Sequence, residues 1–158
     1  MIALPIACSI TGNRLIDGGT LLPDLAVAGV GLSLGPELLS NGGFLTDTVW
    51  VKGLSWTIAG NAATVLTPAA TSLLSQALAL TPGAMYRVQY TVTAYTSGAL
   101  FVRFTNAGAN VTTISSASGL GTVTAMGRLT GAADSLSFVA PNSLAAYSIS
   151  NVSLRLVV

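Results

Sequence analysis

The stretch MYRVQYTVTAY, residues 85–95, alternates without a break. Tyr86, Val88, Tyr90, Val92 and Ala94 share one face, and Arg87, Gln89, Thr91 and Thr93 share the other. A period of two belongs to a β-strand, whose successive side chains point to opposite faces, whereas a helix would scatter those five apolar residues around its axis. One face is therefore expected to be buried and the other solvated, as in an antiparallel sheet. LFVRF, residues 100–104, repeats the pattern with Leu100, Val102 and Phe104 inward and Arg103 outward. Near the C-terminal end, Val152, Leu154 and Leu156 alternate with Ser153 and Arg155.

Weaker runs of the same kind cover 54–59, 62–66, 73–80, 111–116, 122–129 and 135–140. Turn residues separate them: Ala59-Gly60-Asn61, Thr81-Pro82-Gly83, Ser97-Gly98, Asn106 to Asn110, Gly119 to Gly121, Gly131 and Pro141-Asn142. Glycine supplies positive φ at such places and proline presets φ, so each breaks a strand. About nine short strands punctuated in this way indicate an all-β protein, an antiparallel two-sheet jelly-roll sandwich. Tyr86, Val88, Tyr90, Val92, Val102, Phe104, Phe138, Ile149, Val152 and Leu154 are expected to point inward. The Ala/Leu-rich SLLSQALAL, residues 72–80, has the composition of two helical turns. Thr81-Pro82-Gly83 opens directly into the Tyr86 strand, however, so a strand–turn–strand hairpin is expected there.

Residues 1–36 differ from the rest. They carry Pro5, Pro23 and Pro36, six glycines between Gly12 and Gly35, and no sustained alternation. Proline and glycine at this density oppose helix and central strand alike. Yet the segment is too apolar for a solvated disordered tail. An extended N-terminal arm that docks on another surface meets both conditions, with Leu21, Leu22, Leu25, Val27, Val30 and Leu32 as its apolar contacts. The expected division is an arm over 1–36 and a sandwich over 37–158. The opening MIALPIACSITG has no basic n-region and is interrupted by Pro5, so it is not expected to act as an export signal.

Composition narrows the function. Of 158 residues, 51% are hydrophobic and only 7% charged, and the formal net charge is +1. Six basic and five acidic residues are scattered singly, so no basic patch exists for nucleic-acid phosphates. Mean hydropathy is +0.72, but the most apolar window, LAVAGVGLSLG at 25–35, is far short of the ~20 residues a membrane helix needs. With 6% aromatics, the interfacial girdles of a membrane barrel are not expected either. Histidine is absent, which removes the usual general base, the Ser-His and Cys-His nucleophile pairs and the commonest zinc ligand. Asp47 and Asp134 are the carboxylates inside the sandwich, far apart in sequence, and no phosphate-cradling or dinucleotide motif occurs. No enzymatic activity and no cofactor are expected. The single cysteine, Cys8, excludes an intramolecular disulfide.

Three pieces of sequence resemble one family. LLSNGGFLTDTVW…W, residues 38–56, is similar to the first element of carbohydrate-binding-module-like jelly rolls, in which Leu-Leu-x-Asn-Gly-x-Phe leads to a tryptophan. LALTPGAMYRVQYTV, residues 78–92, resembles their Pro-Gly turn and core strand, and SISNVSLRL, residues 148–156, their closing strand. The same grammar resembles that of structural proteins of tailed bacteriophages. The resemblance implies a non-enzymatic virion structural protein, a capsid decoration, cement or tail-appendage subunit that contacts copies of itself and other virion proteins. Its alternative is a glycan-binding, host-attachment module, and a secreted bacterial module is a third option. Under either leading reading, Trp50, Tyr95 and Arg103 are the expected glycan or interface contacts. Family members carry acidic residues, able to serve a structural calcium, where this chain has Leu45 and Ser150, so a calcium site would need Asp47 or Asp134 with backbone carbonyls. Leu38, Leu39 and Phe44 are expected to plug the sandwich end, with positive φ in Asn41-Gly42-Gly43.

Overall fold

The computed structural model describes residues 9–11, 14–17, 20–21, 33–141 and 145–158. The chain divides into two units, Met1–Leu32 and Ser33–Val158. In the first, β1 (Ser9–Thr11), β2 (Arg14–Asp17) and β3 (Thr20–Leu21) form an antiparallel three-stranded sheet in the order β1-β2-β3. Ile10 stands opposite Leu15, and Ile16 opposite Leu21. Within the segment expected to be an extended arm, these strands are paired with one another. Of the expected arm contacts, Leu21 lies in β3, and Leu22, Leu25, Val27, Val30 and Leu32 lie outside the described residues.

In the second unit the strands are β4 (Leu34–Glu37), β5 (Val51–Lys52), β6 (Trp56–Ala59), β7 (Ala62–Leu66) and β8 (Ser72–Ala77). They continue as β9 (Met85–Ser97), β10 (Leu100–Asn106), β11 (Ala109–Ala117), β12 (Gly121–Arg128), β13 (Ser135–Ala140) and β14 (Ala146–Val157). One sheet runs β11-β10-β13-β8-β5 and the other β12-β9-β14-β7-β6, with β4 also paired to β14. Every pairing is antiparallel. Two hairpins, β6–β7 and β10–β11, stay within a sheet, and the other connections from β5 to β14 cross between sheets. This is the expected two-sheet antiparallel sandwich. Because Leu34 and Glu37 pair with Val157 and Arg155, the sandwich begins ahead of residue 37.

All ten residues expected to face inward are buried. Ser72–Ala77 of SLLSQALAL forms a strand, but not one arm of a hairpin with β9. β8 pairs with β13 and β5, whereas β9 pairs with β12 and β14. The Pro82-Gly83 turn therefore carries the chain from one sheet to the other, with Gly83 at φ 81. Both chain segments are amphipathic strands, and burying an apolar face against a second sheet satisfies that pattern as well as lateral pairing does.

The Leu-Leu-Ser-Asn-Gly-Gly-Phe element closes one end of the core. Leu39 and Phe44 are buried, and Leu38 packs against the same cluster. Asn41 organises the loop. Its Nδ2 donates to the carbonyls of Thr46 (2.7 Å) and Thr48 (3.3 Å), and its Oδ1 accepts from the Leu45 N–H (2.8 Å). The backbone carbonyl of Asn41 accepts from Trp50 Nε1 at 3.1 Å. Positive φ falls on Asn41 and Phe44, both at 53°, rather than on the two glycines. Gly42 is needed for a different reason: a Cβ there would lie 2.0 Å from the Val152 carbonyl oxygen, and the Gly42 carbonyl accepts from the Val152 N–H at 2.8 Å. Gln76, buried on β8, pairs with the Ser40 backbone through both ends of its amide (2.7 and 2.8 Å).

Candidate functional site

Alternation on β10 sends Leu100, Val102 and Phe104 into the core, and Phe101, Arg103 and Thr105 to the outer face of the five-stranded sheet. Registers with the neighbouring strands assemble that face in rows. Phe101 lies between Ser116 of β11 and Val139 of β13, and Val139 stands opposite Leu73 of β8. In the next row Arg103 lies between Thr113 and Ser137, Ser137 opposite Ser75, and Ser75 opposite Val51 of β5. Thr105 stands opposite Ser135, and its hydroxyl shares hydrogen bonds with those of Ser135 (2.8 Å) and Ser137 (2.7 Å). Ser137 and Val139, although on the outer face, are buried among their larger neighbours (0% and 2% exposed). The face is thus a floor of small side chains bordered by Phe101, Arg103 and Leu73.

Arg103 dominates this face electrostatically. Its guanidinium carbon sits 4.8 Å from the centre of the Phe101 ring, a cation–π arrangement. Its Nε is buried and has no hydrogen-bond partner. The other cations whose side chains are described are engaged. Lys52 meets Asp47, Arg155 meets Glu37 (3.4 Å), Arg87 donates to Gln89 Oε1 (2.6 Å), and Arg128 donates to the Gly83 carbonyl (2.9 Å). The outer face of the other sheet is lined by hydroxyls that satisfy one another, including Thr64 with Ser148 (2.8 Å) and Thr91 with Thr122 (3.1 Å).

The three residues expected to make contacts are not brought together. Trp50 is a core residue, 5% exposed, wedged between Phe44 (ring centres 5.3 Å apart) and Phe138 (6.2 Å). Its indole has no free face for a sugar, and its N–H is already used by Asn41. That expectation is corrected: the loop folded by Asn41 draws the tryptophan into the sandwich end. Tyr95 is half-buried, packs on Tyr147 (5.5 Å) and donates weakly to the Gly98 carbonyl (3.4 Å). Arg103 alone of the three stands on the outer sheet face. Phe101 was missed, although its signal is in the sequence: it is a large aromatic in the outward phase of LFVRF. Val139, Ser137 and Leu73 join it only through register. Of ten aromatic residues, Tyr95 and Phe101 are the ones outside the buried core cluster.

Among the described residues no group of three or more His, Cys, Asp or Glu side chains gathers to hold a metal ion. Leu45 is exposed and Ser150 buried. Asp134 accepts from the Ala107 N–H (2.9 Å) and the Ser135 hydroxyl (2.7 Å), and these bonds, the first foremost, hold its carboxyl below the ordinary range.

No family model matches this sequence, and no curated protein does. Solved structures do match in shape. A family 29 carbohydrate-binding module, in a study of ligand recognition, superposes with a TM-score of 0.52 at 14% identity over 76% of this chain and 89% of its own. A variant of such a module complexed with cellulohexaose gives 0.51 and 14% over 77% and 89%. The chain has the sandwich fold of a carbohydrate-binding module. The enzymatically active domain of tailspike protein 4 from bacteriophage CBA120 also matches, with a TM-score of 0.54 and 18% identity over 77% of this chain. This chain spans 21% of that tailspike chain.

Proposed function

We propose that this chain is a non-enzymatic, cofactor-independent glycan-binding module that uses the outer face of its five-stranded sheet, and that it serves a bacteriophage virion as a host-attachment or tail-appendage domain. The observation that carries the reading is the Phe101–Arg103 pair on a floor of small residues. It is a half-buried aromatic–cation platform on a sheet whose remaining aromatics are spent on the core. Sugar recognition needs an apolar surface for the ring face and a few polar groups to fix orientation. Leu73 and Phe101 supply the first, and Arg103, Ser75, Thr113 and Ser116 the second. The fold shared with carbohydrate-binding modules supports the same reading, and the similarity to a tailspike domain supports its setting. A glycan array probed with the full chain tests it. Binding to a defined saccharide, lost on Phe101→Ala while the melting temperature holds, is the expected result. A blank array sinks the proposal.

A second reading, a decoration or cement subunit acting through protein contacts, has its own observation. Leu45, Val49, Val51 and Leu54 are 76%, 54%, 68% and 76% exposed around the edge strand β5. An open edge with apolar side chains is a site for pairing with another chain. Val49 also holds φ 63, a conformation that β-branched residues rarely adopt, and strain of this kind gathers at functional segments.

A further inference from the structure

We infer that the ligand of this face is an acidic saccharide whose carboxylate is taken by Arg103, an inference that rests on the glycan-binding reading above. Three observations point to it. First, among the described residues no protein acceptor meets the Arg103 guanidinium: Nε is buried without a partner, and neither ion pair involves this side chain. Second, the described carboxylates of the sandwich are committed elsewhere. Glu37 is bonded to β14, Asp47 to Lys52, and Asp134 to Ala107 and Ser135. The side chains beside Arg103 on its own face are Phe101, Thr113, Ser137 and Thr105, so no local anion competes for it. Third, the guanidinium covers the face of the Phe101 ring, so a sugar arriving there meets the cation before the aromatic.

A guanidinium is a rigid planar fork that matches a carboxylate with two parallel hydrogen bonds, and a neutral sugar hydroxyl cannot use both tines in that way. In its resting pose Arg103 leaves Nε–H without an acceptor, which is costly for a buried donor. Turning the fork off the ring toward a uronate carboxylate satisfies Nε–H and one Nη–H together. The move also uncovers Phe101 for the apolar face of the same or the next sugar. Ser75, Thr113 and Ser116, in register with the pair, are placed to bond ring hydroxyls. Partial shielding from water strengthens the attraction relative to an exposed charge pair.

Calorimetric titration of the full chain with hexagalacturonate and with cellohexaose tests this, using wild type, Arg103→Gln and Arg103→Lys. Wild type should prefer hexagalacturonate by roughly tenfold or more, as a charge-assisted bidentate contact implies. Arg103→Gln should abolish the preference, Arg103→Lys should lose most of it because the fork is gone, and added salt should reduce it. Equal affinity for both sugars overturns the acidic assignment while leaving glycan binding in place, and so does a preference that survives in a folded Arg103→Gln variant. Binding of neither hexamer overturns this inference, and a blank glycan array removes the functional reading with it.

Discussion

Tyr147 shows how one atom can work against the fold that buries it. Its ring is 1% exposed and packs on Tyr95, but its hydroxyl has no hydrogen-bond partner. Burial, and secondarily the neighbouring Tyr95, push its pKa up from 10.0 to about 12. A folded-state value above the unfolded one means that the neutral phenol is favoured in the fold. Its contribution is therefore complete below pH 10 and is lost as the pH climbs toward 12. Tyr147→Phe keeps the ring and removes an unpaired buried hydroxyl, a change expected to be neutral to stabilising by about 1 kcal/mol. Thermal melts at pH 7 and pH 11 check it: the variant should melt no lower than wild type at pH 7 and gain on it at pH 11. A clear loss at pH 7 would mean that the hydroxyl has an acceptor in solution. Trp50 is the opposite case, since its indole N–H is satisfied by Asn41, which makes burial of the whole ring favourable.

At the scale of the element, β4 is a four-residue strand that pairs with β14 and is tied to it further by one carboxylate. Glu37 Oε1 accepts from the N–H groups of Leu154 (2.8 Å), Leu38 (3.2 Å) and Leu39 (3.2 Å), and Oε2 accepts from the Ser153 hydroxyl and from Arg155. Burial alone raises the Glu37 pKa, but the bonds from Ser153, Leu154, Leu39 and Arg155 together outweigh it and leave the carboxyl below its ordinary 4.5. A lowered folded-state pKa contributes stability above pH 4.5, and that stability disappears as the pH falls through the lower folded value. Glu37→Gln should cost about 1 kcal/mol near neutrality, a modest figure because the side chain is partly solvated. In melts at pH 7 and pH 3 the gap between wild type and variant should close at the acid end. A gap of constant size would show that the charge of Glu37 is irrelevant to the β4–β14 pairing.

For the whole molecule, a net charge of +1 leaves little repulsion between copies, and near-zero net charge favours association. The apolar edge around β5 then distinguishes the two functional readings. Light scattering across a concentration series should detect self-association that Val51→Lys together with Leu54→Lys abolishes, because charged edges block strand addition. Salt separates the two surfaces. Association through the edge should survive high salt, whereas acidic-glycan binding through Arg103 should weaken. A strictly monomeric wild type at all concentrations removes the structural-subunit reading.

The period of two, clearest in MYRVQYTVTAY and LFVRF and repeated in the later runs, is a local property, set by the geometry of an extended backbone, and it sufficed for the all-β class, for the ten core positions and for the outward placement of Arg103. Spacing also marked the Asn41-Gly42-Gly43-Phe44 element as a structural turn, though not the division of labour inside it. Positive φ belongs to Asn41 and Phe44, and Gly42 answers to the Val152 carbonyl, a residue 110 positions away in the chain (152 − 42). The tertiary structure decided everything that depends on which strand lies beside which. It took Trp50 into the core, sent β8 and β9 to opposite sheets, and set Val139, Ser137, Leu73 and Ser75 around Phe101 and Arg103. Alternation tells a strand which of its faces to bury, but an amphipathic strand is equally satisfied by several neighbours. The choice among them rests on packing over the whole sandwich, and the candidate binding face exists only after that choice is made.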